Sequence, residues 1–380
     1  MTQSLTVPVL DPNALPAPED AGMPECPECQ ESHRGIVLRA TSGIYTVQPD
    51  HANSATNVDM PPQLRCTLRG NLKKDFSFST SGSLPRRVTR AKRPFMYDVV
   101  AVGDRVCFEF IDGENGVIKE ILPRRNRFAR SSFRGREQTM ITNLDQLVIV
   151  FACAEPNPDL WRIDRWLVAA ETNGLEPLIV ANKRDLVDEA TFQERFGEFL
   201  RIGYRVIATS VAENIGIDTL RDALRGQISA FTGPSGVGKS SLLNSVQPGL
   251  KLAIGDIGSI TFKGKHTTTV RELIPLESGG WVADTPGLRQ LELLHMTREE
   301  LAESFVEFRE FLAEPCRFQD CRHEAEPVCN LKNAIARGLV SSRRYESFKL
   351  LASEIKAERQ LKPQKLGDRE RSERNGENEG

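Results

Sequence analysis

The sequence predicts a multidomain α/β protein with three folded parts: a small β-barrel, a mainly parallel α/β domain and a helical domain. Five short alternating segments fall within residues 35–122, strand and helix patterns alternate through 141–296, and helical patterns surround a cysteine and histidine cluster within 297–355. Residues 1–34 are rich in proline with few large apolar side chains, and residues 356–380 are highly charged. We therefore expect both ends to be disordered tails.

Length and composition are those of a globular protein, with 380 residues of which 39% are hydrophobic. Eight cysteines in a chain of this size do not form a disulfide framework, so we expect a cytoplasmic protein with reduced thiols. The longest uninterrupted apolar run, residues 147–154, is too short to cross a bilayer, and the N-terminus shows no basic segment followed by an apolar one. We therefore predict neither a membrane span nor a secretory signal.

The first folded part is predicted to be an OB-fold, a small Greek-key barrel. Its candidate strands alternate in hydrophobicity, are separated by Gly, Asp and Asn, and lie at 35–40, 44–47, 63–68, 104–110 and 116–121. Five short strands in about 90 residues suit this fold, which frequently binds oligonucleotides.

Positive charge is concentrated in and just after the barrel. Residues 34–136 contain nineteen Lys/Arg and nine Asp/Glu, although the whole chain has a net charge of −2. The connection 73–97 combines arginines with four aromatic residues, which can clamp phosphates and stack on bases; alternatively, the aromatics complete the barrel core. Residues 123–140 form a basic linker. The asymmetry predicts a nucleic-acid-binding module joined to an acidic domain.

The α/β domain is predicted from alternating patterns. Strands are expected at 147–152, 178–181, 206–208, 228–231, 270–276 and 281–283, and helices at 161–171, 192–201 and 220–224. Such alternation gives a mainly parallel sheet covered by helices on both faces. Ligands bind at the carboxyl ends of the strands in such sheets, so residues that directly follow a strand are the candidates for a site.

A phosphate-binding loop follows the strand at 228–231. Residues 233–240 fit the pattern G-x-x-x-x-G-K-[ST], with a helix-compatible segment after them. Backbone N–H groups of such a loop cradle phosphates, Lys239 would reach the β- and γ-phosphates, and Ser240 would hold Mg²⁺. The candidate contacts are Gly233, Pro234, Ser235, Gly236, Val237, Gly238, Lys239, Ser240 and Ser241. The alternative is a glycine-rich turn capped by serine.

Residues that select guanine follow two other strands. Asp185 of the Asn182-Lys183-x-Asp185 motif can accept hydrogen bonds from guanine N1–H and N2–H₂, while the Asn182 amide addresses the Hoogsteen edge. Adenine would leave these buried partners unpaired. Ser210, Val211 and Ala212 follow the next strand, where a backbone contact to guanine O6 is expected. The N-K-x-D pattern is weak by itself, and its position after a strand in a chain with a phosphate loop strengthens it.

Two further segments are expected to respond to the γ-phosphate. Asp284 and Gly287 form a D-x-x-G pattern in which the carboxylate holds Mg²⁺ through water and the glycine amide binds the γ-phosphate; a plain turn is the alternative. In the run 264–269, Thr268 is the candidate Mg²⁺ ligand, with Thr267 a close second and a threonine-rich strand start as the alternative.

The order of these motifs is unusual, because the guanine motifs at 182 and 210 precede the phosphate loop at 233. All of them can still meet at one edge of the sheet, since a compact domain tolerates circular permutation when its original termini lie close together. The middle domain is therefore predicted to be a circularly permuted P-loop GTPase that binds GTP and Mg²⁺.

A metal site is predicted in the helical domain. Cys316, Cys321, His323 and Cys329 offer three thiolates and an imidazole, a set that suits one tetrahedral structural Zn²⁺. Leu301, Phe305, Phe308 and Leu312 indicate one helix before the cluster, and helices are expected after it at 334–336 and 345–355. The pair Cys26 and Cys29 with His33 lacks a fourth ligand and is interpreted as incidental.

With these features the chain resembles the ribosome small-subunit-dependent GTPase A family of circularly permuted bacterial GTPases over about residues 35–355. The resemblance rests on the basic barrel, the permuted motif order, the phosphate loop, the His-Thr-Thr-Thr run at 266–269 and the cysteine/histidine cluster. It implies slow GTP hydrolysis stimulated by the small (30S) ribosomal subunit, binding to 16S rRNA near the decoding region, and a role in late maturation of that subunit. We expect the protein to act as a monomer.

Hydrolysis requires an attacking water to be positioned. Leu288 occupies the place where many GTPases carry a Gln, so His266 is the candidate catalytic residue, a role that the resemblance also implies. Alternatively, His266 only orders its loop. Two rival functions stay open: a non-catalytic RNA-binding checkpoint clamped by GTP, and a P-loop enzyme that uses ATP.

Overall fold

The computed structural model describes residues 33–41, 43–50, 60–69, 100–131, 137–248, 272–284, 296–318 and 320–356. Nearly all of the two predicted tails, the basic connection 73–97 and the threonine run lie outside these ranges. Within the described ranges, no helix is long and apolar enough to cross a membrane.

The N-terminal barrel is an OB-fold, as predicted. Its strands are β1 (His33–Thr41), β2 (Ile44–Pro49), β3 (Leu64–Leu68), β4 (Arg105–Asp112) and β5 (Asn115–Ile121). They run in the order β1-β2-β3-β5-β4, and pairing between β4 and β1 closes the barrel. The β3–β5 pair is parallel, whereas the other barrel pairs are antiparallel. Alternation is clear in β3, where Leu64, Cys66 and Leu68 are buried and the residues between them are exposed.

The segment predicted as a basic linker contains a hairpin of β6 (Arg127–Ser131) and β7 (Glu137–Thr142). Its base is fixed to the barrel by Asp104, whose side chain is fully buried. The Asp104 carboxylate accepts hydrogen bonds from Arg124 (2.7 and 2.8 Å) and from the Thr142 hydroxyl (2.7 Å). A buried carboxylate needs such partners, so this cluster fixes the joint between the barrel and the chain that follows it.

The middle domain has the predicted parallel sheet. Its strands are β8 (Gln146–Ala152), β9 (Glu176–Asn182), β10 (Arg205–Ala208), β11 (Ile228–Thr232), β12 (Glu272–Pro275) and β13 (Trp281–Asp284), in the order β10-β9-β8-β11-β13-β12. Only β12 is antiparallel to its neighbour in this part of the sheet. The helices are α1 (Leu160–Thr172), α2 (Glu189–Arg201), α3 (Ile217–Leu224) and α4 (Lys239–Val246).

Two apolar layers cover the sheet. Every residue of β8 is buried: Ile149 and Phe151 belong to a cluster with residues of α1 and α2, while Val148 and Val150 belong to a cluster with residues of α3 and α4. This continuous burial explains why β8 reads as an unbroken apolar run and not as an alternating one.

The C-terminal domain is helical, but the helix predicted across Leu301–Leu312 is interrupted. Helix α5 (Arg298–Glu303) begins with a capping box between Thr297 and Glu300. A 3₁₀ turn (Val306–Phe308) and the short helix α6 (Arg309–Leu312) follow. Phe305 adopts an extended conformation and packs against Phe308, with ring centroids 4.8 Å apart. The helix-like spacing of these apolar residues therefore belongs to a turn that brings both rings together, and not to a continuous helix. The predicted helices after the cluster are present as α7 (Asn330–Ala336) and α8 (residues 342–356).

The barrel and the middle domain share one hydrogen-bonded sheet. Strand β1 pairs with β12 at Arg39 and Glu272, so eleven strands are continuous from β10 to β4. This pairing joins segments more than 230 residues apart in the chain, and no local pattern in the sequence indicates it.

Candidate functional site

The predicted motifs converge on one edge of the sheet. Strands β11, β9 and β10 are parallel to β8, and they end respectively at the phosphate loop, at Asn182 and just before Ser210. Strand β13 is parallel to β11 and ends at Asp284. Carboxyl ends of parallel strands lie on the same side, so the permuted motif order does not separate these residues.

The phosphate loop has the backbone that its glycines permit. Gly233 and Gly238 have φ angles of 139° and 93°. A Cβ atom on Gly233 would lie 2.1 Å from the Val150 carbonyl oxygen, and one on Gly238 would lie 2.5 Å from the Asn182 side-chain nitrogen. Both positions therefore require glycine on two grounds, conformation and space.

The loop leads directly into α4, which begins at Lys239. The Lys239 ammonium donates to the carbonyl oxygens of Gly233 (2.9 Å) and Pro234 (2.6 Å), so the side chain lies along the loop. Ser240 is buried at the first turn of the helix. Val237 is also fully buried and packs into the cluster beneath α3 and α4, which leaves only its backbone to face a ligand. Ser235 and Gly236 are exposed, and Ser241 is half-buried.

Asn182 ties the guanine motif to the phosphate loop. Its side-chain nitrogen donates to the Val237 carbonyl (2.8 Å), and its side-chain oxygen accepts from the Thr209 hydroxyl (3.0 Å). The side chain is buried, with 2% exposure. Its role within the described residues is thus to join β9, the segment after β10 and the loop; the predicted contact with the purine stays a prediction. Thr209 was missed, because a lone threonine after a strand carries no distinguishing pattern.

Asp185 is exposed and held by a neighbouring loop. Its carboxylate accepts a hydrogen bond from the Ser210 hydroxyl (2.5 Å), and the same hydroxyl accepts from the Glu213 N–H (3.1 Å). Lys183 has a left-handed backbone (φ 56°) and donates to the Glu155 carbonyl. Val211 and Ala212 are exposed on the same loop as Ser210. The two predicted guanine motifs are therefore in direct contact, and the Ser210 hydroxyl orients the Asp185 carboxylate.

The two predicted switch segments are described only in part. Asp284 is the last residue of β13, and its cross-strand partner in β12 is Glu272. Because β13 is paired with β11, Asp284 lies beside the strand that leads into the phosphate loop. Thr268, Thr267, His266, Gly287 and Leu288 lie outside the described residues.

The four predicted metal ligands form one cluster. Their ligand atoms all lie within 4.8 Å of one another. The His323 Nδ1 atom is 3.3, 3.6 and 3.7 Å from the sulfur atoms of Cys329, Cys321 and Cys316, and the sulfurs of Cys316 and Cys329 are 3.9 Å apart. A tetrahedral ion with bonds of about 2.0–2.3 Å places its ligands roughly 3.5–3.8 Å apart, so this donor set fits Zn²⁺.

Local contacts fix the backbone of His323, and burial sets the charge state of its side chain. The Tyr345 hydroxyl donates to the His323 carbonyl (2.6 Å), and His323 has a left-handed backbone (φ 58°). Burial lowers the pKa of the His323 imidazole, which favours the neutral form that binds metal. The cluster joins α7 to the loop that precedes it, because Cys329 is the residue before Asn330.

Comparison with known proteins gives a consistent family. A sequence profile described as RsgA GTPase matches residues 121–294. The chain is 38% identical over 328 residues to the "Small ribosomal subunit biogenesis GTPase RsgA" of Gemmatimonas aurantiaca. The aligned region covers 85% of this chain and 98% of the relative. The protein of the same name from Moorella thermoacetica is 43% identical over 256 residues, covering 67% of this chain and 84% of the relative.

Two solved structures share the architecture. YjeQ from Thermotoga maritima superposes with a TM-score of 0.66 at 32% identity, covering 85% of this chain and 98% of that one. YloQ, described as a circularly permuted GTPase, gives a TM-score of 0.63 at 29% identity, covering 88% and 98%. The motif order, the meeting of the motifs at one sheet edge and these matches lead to the same assignment: the chain belongs to the RsgA family and is a circularly permuted GTPase.

Proposed function

We propose that this GTPase hydrolyses GTP while bound to the small ribosomal subunit and acts in late maturation of that subunit, as a cytoplasmic monomer that contacts 16S rRNA. The relatives' names refer to biogenesis of the small ribosomal subunit. The surplus of positive charge in residues 34–136, which include the OB-fold, supports contact with RNA phosphates. The observation that carries the proposal is the sheet edge at which Asn182 is hydrogen-bonded to the phosphate loop and Ser210 holds Asp185.

Guanine selection is assigned to Asp185, Asn182 and Lys183. The Asp185 carboxylate, fixed by Ser210, would accept from guanine N1–H and N2–H₂, and the segment Ser210–Ala212 would meet O6 through its backbone. Adenine has no N2 donor, so a site built for these hydrogen bonds rejects it strongly. Asn182 would support this selection indirectly, because its hydrogen bond to the Val237 carbonyl holds the guanine motif against the phosphate loop.

The phosphates and Mg²⁺ are assigned to the loop and the switches. Backbone N–H groups of residues 235–241 would surround the β-phosphate, and Lys239 would exchange its two loop carbonyls for phosphate oxygens. Ser240 and Thr268 would ligate Mg²⁺, Asp284 would hold it through water, and the Gly287 amide would bind the γ-phosphate. Magnesium neutralises charge on the transferred phosphoryl group when bound.

The attacking water is assigned to His266, because Leu288 cannot hydrogen-bond it. A histidine brought into place only on the ribosome would give a slow enzyme in isolation and a stimulated one on its target.

The cysteine/histidine cluster is assigned to one structural Zn²⁺ held by Cys316, Cys321, His323 and Cys329. Four protein ligands leave no open position for a substrate, so the ion would stabilise the C-terminal domain and take no part in hydrolysis.

Single-turnover GTP hydrolysis with and without purified small subunits tests the proposal. We expect slow hydrolysis by the protein alone and at least about tenfold stimulation by saturating small subunits, the size of effect expected when a catalytic group is correctly positioned. Large ribosomal subunits serve as the control. Equal rates with and without small subunits would favour a GTP-clamped checkpoint that does not depend on ribosome-stimulated hydrolysis.

A further inference from the structure

Two joints connect the barrel and the segment after it to the GTPase domain, and among the described residues the second is the one that extends to the nucleotide edge of the sheet. The first joint is at the amino ends of the strands: Asp145, which precedes β8, accepts from the Ile228 N–H at the start of β11 (2.7 Å) and from Arg125 (2.6 Å). This joint is far along the strands from the nucleotide edge. A displacement of the barrel that acted through this joint would have to be carried along the full length of the strands to reach the nucleotide site.

The second joint reaches the nucleotide edge. Strand β12 is antiparallel to β13, so Glu272 at the start of β12 lies opposite Asp284 at the end of β13. Glu272 is also the cross-strand partner of Arg39 in barrel strand β1. Three adjacent strands thus place Arg39, Glu272 and Asp284 in one row, which runs from the barrel to the aspartate assigned to magnesium.

Side chains attach the β12–β13 hairpin to the barrel at both of its ends. Arg39 forms an ion pair with Glu272 at one end. At the other end, the Trp281 indole N–H donates to the Gln48 side-chain oxygen (2.9 Å), and the Arg105 guanidinium lies over the Trp281 ring at 5.7 Å. The hairpin is therefore in contact with the barrel at two separate points along its length.

The hairpin is also continuous in sequence with both switch segments. Glu272 comes three residues after the threonine run, and Asp284 is the first residue of the D-x-x-G motif. A shift of the hairpin relative to β11 would therefore change where both segments leave the sheet. Within the described part of the chain, this is the direct connection between the barrel and the nucleotide edge.

We propose that the β12–β13 hairpin transmits the position of the barrel to the nucleotide site, with Glu272 and Trp281 as positioning residues for stimulated hydrolysis. The inference rests on the proposed function, because it takes the small subunit as the ligand that places the barrel. Coupling of this kind requires that subunit binding and the hydrolysis-competent state favour the same hairpin position.

The ion pair is suited to a test because it contributes little to folding. The Arg39 and Glu272 side chains are 47% and 39% exposed, and exposed pairs contribute little to stability. Glu272→Gln and Trp281→Phe each remove one attachment, and Trp281→Phe keeps an aromatic ring for packing. The matched control is Glu109→Gln. It removes the same charge from a solvent-accessible ion pair, Lys119–Glu109, that joins two strands of the barrel and does not involve the hairpin.

The experiment uses full-length protein and purified small subunits, and measures subunit affinity, intrinsic hydrolysis and the single-turnover rate at saturating subunits. In Glu272→Gln/Trp281→Phe, we expect subunit affinity and intrinsic rate within about twofold of the wild type and a saturating rate lowered about fivefold or more, the lower range of measured couplings. The charge swap Arg39→Glu/Glu272→Arg is expected to recover more of the saturating rate than Glu272→Arg alone.

Each result decides the matter. A double variant that is stimulated as fully as Glu109→Gln overturns the inference, and so does a loss confined to subunit affinity with an unchanged saturating rate. If the wild-type protein itself is not stimulated by small subunits, the proposed function fails. If the wild type and the double variant are stimulated equally, the proposed function stands and only the coupling through the hairpin is rejected. Unchanged intrinsic hydrolysis in the variants shows that the nucleotide site has folded.

Discussion

Arg344 is a buried cation that links the C-terminal domain to the GTPase domain. Its side chain is fully buried and donates to Asp164 of α1 (2.8 Å) and to both oxygens of Glu307 (2.6 and 3.0 Å). Burial by itself would lower the pKa of the guanidinium, but its hydrogen bonds to Glu307 and the charge of Asp164 raise that pKa above its ordinary value. The group is therefore charged in the folded protein at every accessible pH.

Arg344→Met would remove the cation and leave the two carboxylates in place. Asp164 is fully buried and would retain Arg343 (2.7 Å), whereas the Glu307 side chain is only 9% exposed and would lose both of its hydrogen bonds to Arg344. Removing one partner of a buried ion pair costs about 3–5 kcal/mol, because the remaining charge is left uncompensated. We expect a loss of this size in the free energy of unfolding of the C-terminal domain.

The assay is urea unfolding followed by tryptophan fluorescence, since Trp161 and Trp166 of α1 pack against the C-terminal core. The control is Arg225→Gln, whose ion pair with Asp222 is 64% and 67% exposed and should contribute less than about 1 kcal/mol. The double change Arg344→Met/Glu307→Met should recover much of the loss, because it removes the unpaired charge as well. An Arg344→Met protein as stable as Arg225→Gln would refute this reasoning.

Three further changes test separate parts of the molecule. Gly238→Ala should lower GTP affinity about tenfold or more, because its Cβ would lie 2.5 Å from Asn182, and isothermal titration with GTP measures this; unchanged affinity would contradict the loop geometry. Ser210→Ala should weaken GTP binding about tenfold without changing the preference for guanine over xanthine, since Asp185 loses the hydroxyl that orients it but keeps its charge; a changed preference would contradict that role. Chelation of metal should lower the unfolding midpoint of the C-terminal domain and leave nucleotide affinity unchanged, because the cluster lies in that domain; metal-free protein with an unchanged midpoint would contradict a structural ion.

The features that were predictable from the sequence are those with a local pattern. The alternation of Leu64, Cys66 and Leu68 indicated a barrel strand, and the unbroken apolar run of β8 indicated a buried one. The phosphate loop was recognisable because its glycines are fixed by conformation and close contact, as Gly233 shows. The close spacing of Cys316, Cys321, His323 and Cys329 in the sequence was also enough to predict that they form one cluster.

The features that were not predictable depend on residues far apart in the chain. The Asn182 amide is used by the phosphate loop, a contact across 55 positions, and the Arg344–Asp164 pair spans 180. The pairing of β1 with β12 likewise has no local signal. The helix predicted through Phe305 failed for a related reason: the apolar spacing was satisfied by a turn that returns Phe305 to the same core as Phe308.

The central claim is that Asp185 and the phosphate loop form one pocket for a guanine nucleotide. Its most direct test is the nucleotide preference of Asp185→Asn, measured as the affinity and single-turnover hydrolysis of GTP, XTP and ATP beside the wild type. The amide would present a donor where guanine also donates, so we predict that GTP binding falls and XTP becomes the preferred nucleotide. An Asp185→Asn protein that keeps the wild-type preference for GTP over XTP would contradict the account.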